Sequence, residues 1–62
     1  MKTVDMGIYS YKITGEREEE AAEKLKERID YLDHLPGVRY YDDELAGIRQ
    51  KIAEEYGVEI RV

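Results

Sequence analysis

His34 is the only histidine, and the sequence contains no cysteine to act as nucleophile or thiolate ligand. His34 stands near the end of an expected helix, with no serine beside it to activate. An imidazolium there answers the negative end of the helix dipole, which is a structural role. Asp42, Asp43 and Glu44 offer three consecutive oxygen donors, the ligand type that Ca2+ and Mg2+ take. The alternating acids and central glycine of a calcium loop are missing, and consecutive acids at a helix start usually serve as capping and dipole groups. Gly37, Gly47 and Gly57 sit in neither G-x-G-x-x-G nor G-x-x-x-x-G-K-[ST], so no phosphate cradle is written here. The expectation is a non-enzymatic chain with no catalytic, cofactor-binding or metal-binding residues, and no cofactor.

The tyrosines are the residues left with recognition chemistry. Tyr9 and Tyr11 share one strand parity, and Tyr40 and Tyr41 follow a Pro-Gly stop. If Val38 and Tyr40 point inward, Tyr41 points outward near the Tyr9–Tyr11 ladder. Tyr9, Tyr11 and Tyr41 are then the candidate protein interface, combining ring area with hydroxyls that keep the patch wettable. The structural alternative is that tyrosine simply favours a half-wet sheet face. Base stacking on such a face would need a basic groove beside it. The formal charge of −5, from 15 acids and 10 bases, argues against that and against direct nucleic-acid contact generally.

The elements that must position these residues fit one domain spanning residues 1–62. A chain this short removes only about 60% of its surface from water on folding, and a single core supplies roughly 3–5 kcal/mol net. No disulfide is available to add to it. The opening Met1-Lys2-Thr3-Val4-Asp5 carries no apolar run, and no stretch approaches membrane-spanning length. Cytoplasmic residence without membrane contact is the default expectation. Charged residues make up 40% of the chain, and Phe, Trp, Cys and Asn are absent, a bias that suits a thermostable or a designed protein.

Thr3 to Ile13 reads as a first strand, rich in β-branched and aromatic residues. Its alternation changes phase: Val4, Met6 and Ile8 share one parity, and Tyr9, Tyr11 and Ile13 the other. Either both faces of the strand are partly covered, or, the slightly favoured account, a bulge near Gly7 shifts the phase. Glu16 to Leu35 reads as a helix with Ala21, Ala22, Leu25, Ile29 and Leu32 on one stripe, an acidic first turn, and Pro36-Gly37 as its stop. Val38 to Tyr41 reads as a short strand. A second helix follows, capped by Asp42 or Asp43, with Leu45, Ile48, Ile52 and Tyr56 inward and Gly57 at its C-terminal end. Val58, Ile60 and Val62 alternate with Glu59 and Arg61 as a strand with one buried face. The expected fold is a small α/β domain in the order β-α-β-α-β. Its three-stranded sheet would be mainly parallel, since helical crossovers are right-handed, with both helices on one face.

Asp43-Glu44-Leu45-Ala46-Gly47-Ile48, running to Tyr56-Gly57-Val58-Glu59-Ile60, loosely resembles the first strand-helix-strand portion of ACT regulatory domains. The Pro-Gly of that family's helix start is missing and the strand count differs from a full ferredoxin-like fold, so nothing about a ligand is taken from the likeness. A parallel sheet open on one face is unusual, and pairing two such sheets would supply the burial one chain lacks. The leading expectation is therefore a protein-interaction module that self-associates through its sheet as a homodimer or larger, or binds another protein. One alternative is an acidic inhibitor occupying a nucleic-acid-binding site on a basic enzyme, of the phage anti-restriction or anti-CRISPR type. The other is a de novo designed scaffold with no biological activity.

Overall fold

The computed structural model describes residues 1–7 and 9–62. Five elements run β1 (Lys2–Met6), β2 (Tyr9–Thr14), α1 (Glu18–Asp33), α2 (Tyr41–Tyr56) and β3 (Glu59–Arg61). The order is β-β-α-α-β, and the three strands lie side by side as β1-β2-β3, every neighbour antiparallel. The class is α/β as the sequence indicates. The mainly parallel sheet and the β-α-β-α-β order are both corrected.

The correction begins at Gly7. Its φ of +69° is a left-handed conformation that glycine adopts without penalty, and that tight hairpin turns require at their first central position. The chain reverses there, and Met6 pairs with Tyr9, Val4 with Tyr11, and Lys2 with Ile13. The change of phase along the segment thus reflects a hairpin, not a bulge. Val4 and Met6 face the same side of the sheet as Tyr9, Tyr11 and Ile13 because direct partners in an antiparallel pair share a face. The reading of Ile8 lies outside the described residues.

The second correction is at Val38–Tyr41, which forms no strand. Val38 is half-buried, Arg39 and Tyr40 are exposed, and Tyr41 is already the first residue of α2. Both edges of β2 are taken, by β1 and β3, so a strand here could pair only on an outer edge. The segment instead joins the two helices directly.

The helices follow their sequence signals closely. Ala21, Ala22, Leu25, Ile29 and Leu32 are the buried face of α1. Leu45 and Ile52 are buried on α2, with Ile48 and Tyr56 packed against the same core. Neither helix has a side-chain cap; Asp42, Asp43 and Glu44 occupy the first turn of α2 inside the helix, where they complement its dipole. Gly57 closes α2 in the left-handed conformation, and Val58 N–H donates back to the Ala53 carbonyl at 3.1 Å. One core joins these residues to Val4, Tyr11, Ile13 and Val58. The opposite side of the sheet presents Thr3, Asp5, Ser10, Lys12, Thr14, Glu59 and Arg61, all exposed. The two helices therefore cover one face. No helix among the described residues is long and apolar enough to cross a membrane.

Candidate functional site

Two places gather polar or unpaired groups: a polar cluster where β2 meets the start of α2, and the free edge of β1. The first collects all three tyrosines singled out from the sequence, but on the covered side of the sheet. Tyr11 is 1% exposed. Tyr9 is half-buried, with its ring centroid 6.2 Å from that of Tyr11. Tyr41 is half-buried at the head of α2, not on a strand. The outward tyrosine patch is therefore not built, because the hairpin turns Tyr9 and Tyr11 toward the helices.

Two hydroxyls of this cluster, those of Tyr9 and Tyr41, are occupied by carboxylates. Tyr9 donates to Asp42 Oδ1 at 3.0 Å, and Tyr41 donates to Asp33 at the end of α1. These bonds tie α2 to β2 and to α1. They also fix the protonation state: the Asp42 carboxylate raises the Tyr9 pKa, and the hydrogen bond to Asp33 pushes that of Tyr41 up to about 12. Tyr11 is raised by its burial, with the Arg49 charge acting the other way. At neutral pH all three phenols are protonated, and Tyr9 and Tyr41 are hydrogen-bond donors.

Arg49 is the member that sequence reasoning missed. Its guanidinium lies over the Tyr11 ring at 5.9 Å, and among the described residues its buried Nε has no hydrogen-bond acceptor. With Tyr9, Tyr11, Asp42, Leu45 and Val62 it lines a cleft of about 230 Å3. A signal existed: Arg49 lies four residues after Leu45 and three before Ile52, on the buried stripe of α2.

The second place is the side of β1 away from β2. There Lys2, Thr3, Val4 and Asp5 face Ala22, Glu23 and Lys26 of α1 across a groove of about 280 Å3. Val4 and Ala22 are buried and form its apolar floor, while the charged residues stand at its rim. Alternate residues of an edge strand direct their N–H and C=O groups away from the neighbouring strand, so this groove offers backbone hydrogen bonding over an apolar base. The β3 edge is shorter, three residues with Glu59 and Arg61 bound to each other at 2.6 Å.

The other residues weighed from the sequence have local roles. The His34 ring nitrogen Nδ1 lies 2.7 Å from the Asp30 carbonyl at the end of α1. Among the described residues no group of three or more His, Cys, Asp or Glu is placed to hold a metal ion. Gly47 faces open space, so a close helix–strand approach does not explain it. That constraint falls on Gly15, where a Cβ would meet Val58 Cγ1 at 2.8 Å and Val58 Cα at 3.2 Å. No protein-family model, curated protein or solved structure matches the chain.

Proposed function

We propose that this chain is a small non-enzymatic protein-interaction module that self-associates through the free edge of its sheet. The observation that carries the reading is the groove along β1, where alternate residues of a five-residue strand turn their backbone groups to a free edge beside an apolar floor between strand and helix. Strand addition at such an edge takes its affinity from main-chain hydrogen bonds and its selectivity from side-chain pockets. The outer sheet face, all short polar or charged side chains, gives face-to-face stacking no apolar drive. Lys2 and Asp5 on the same strand disfavour indiscriminate pairing, so the edge suits a specific mate. The accessible surface of 4600 Å2 also exceeds the about 4,200 Å2 expected of a compact monomer of this mass.

For the acidic-inhibitor alternative the geometry adds no support. Glu18, Glu20 and Glu27 on α1 already hold the N-terminal amine, Arg17 and Lys24 at 3.0, 2.8 and 3.5 Å. The test of the main reading is absolute mass by light scattering over a tenfold concentration range, with amide exchange of β1 followed in parallel. Association raises the mass above 7.3 kDa and slows alternate amides of β1 as concentration rises. A 7.3 kDa species throughout, with those amides exchanging freely, sinks the proposal and leaves an external partner or an inert scaffold.

A further inference from the structure

Resting on the edge-association reading, we infer that β1 pairs antiparallel with β1 of a second copy, with the two Val4 residues opposite each other on the two-fold axis. The inference comes from hydrogen-bond phase. Because β1 is bound to β2 along one edge, only alternate residues aim their backbone groups at the free edge. In an antiparallel pair, two opposed residues either both exchange hydrogen bonds or both do not. Identical edges must therefore match odd residues with odd and even with even.

That parity also preserves faces, since side chains of one parity share one side of the strand. The inner face of one sheet continues into the inner face of the next, giving six strands with four helices on the same side. Registers of equal parity differ in what they use. Centring on Val4 pairs all five residues of β1, setting Lys2 against Met6 and Thr3 against Asp5. Centring on Thr3 leaves Met6 without a mate. Centring on Asp5 places two carboxylates directly opposite, which is destabilising, and leaves Lys2 and Thr3 unpaired.

The same axis brings α1 beside α1 of the second copy, running antiparallel. Glu23 and Lys26, both exposed on the groove rim, have no ion-pair partner among the described residues. Antiparallel placement sets each Glu23 toward the Lys26 of the other copy, twice by symmetry. Ala22 between them is small enough to let the helices approach.

The chain has no native cysteine, so three single variants, Thr3→Cys, Val4→Cys and Asp5→Cys, report the register by which of them forms a covalent dimer under mild oxidation. Val4→Cys is expected to cross-link fastest. Because Val4 belongs to the core, a second set uses exposed positions: Glu23→Lys and Lys26→Glu each weaken the dimer about tenfold, and the double reversal restores it. A dimer by mass that cross-links best through Thr3→Cys or Asp5→Cys, or that ignores the charge reversals, overturns this arrangement while leaving edge association standing. A monomer at every concentration overturns both.

Discussion

At the β3 end of the sheet the strand is short and its junction with β2 is tightly packed. Gly15 lies so near Val58 that even a methyl group would collide, Arg17 stacks over the Tyr56 ring at 4.5 Å, and the strand stops after three residues. At the β1 edge, five residues end in a groove, and the N-terminal amine of Met1 reaching Glu18 at 3.0 Å is the ion pair that fastens them to α1. A short strand with its neighbours locked in place presents little backbone to another chain. A longer one beside a small-residue helix face presents both hydrogen-bonding groups and apolar floor. In a chain whose sheet is polar outside and covered inside, the two edges differ in how much backbone each leaves open, and the proposed association rests on that difference.

The largest effect expected is one that removes the comparison altogether. Ile13 is fully buried on the central strand, opposite Lys2 of β1 and Ile60 of β3, so both edges hang from it. Ile13→Ala should cost about 2–5 kcal/mol in urea unfolding. A loss below about 1 kcal/mol would show that the edges are held by something other than this shared core. Gly15→Ala separates the two edges. Because the obstruction includes Val58 backbone, the added methyl should cost about 1–3 kcal/mol. Amide exchange should rise at Ile60 and Arg61 while β1 keeps its protection; equal loosening of both edges would contradict a locally packed β3. Gly47→Ala goes the other way. An exposed helix interior with open space at the Cβ position should gain about 0.5–1 kcal/mol in the same unfolding assay, with solution mass unchanged.

These two glycines also show what could be read from the chain and what could not. Gly47 is visible as an anomaly in a helical pattern, but whether it is required depends on what lies beside it, which no spacing reveals. Gly15 reads only as the end of a strand, yet it carries the close approach. The helices were legible because Ala21, Ala22, Leu25, Ile29 and Leu32 repeat on one stripe over about three turns, and the stripe is what burial selects. The hairpin was not, although its mark was present: reversal at Gly7 changes parity while keeping the face, which a bulge in one continuous strand does as well. Val38-Arg39-Tyr40-Tyr41 has the residue types of a strand but no place beside β2. Of the candidate site, the neighbourhood of Tyr9 and Tyr11 followed from their spacing. Their side of the sheet did not, and the β1 groove needed the strand order before it could be seen at all.

The smallest effect concerns the helix junction, away from both edges, and it tests whether that junction acts independently of β1. The Tyr41 hydroxyl donates to the Asp33 carboxylate, and this hydrogen bond raises its pKa from 10.0 to about 12. Folding therefore favours the neutral phenol, so the native state holds its proton more tightly than the unfolded chain between those values. The stabilisation is fully present below pH 10 and is lost as pH rises through the folded value near 12. Difference absorbance titration of the wild type against Tyr41→Phe should resolve a midpoint near 12, and Asp33→Ala should move that midpoint down toward 10. Solution mass of Asp33→Ala at neutral pH should match the wild type, because neither residue lines the β1 groove. An unmoved midpoint would separate Tyr41 from Asp33, and a changed mass would mean that the junction and the open edge are coupled through α1.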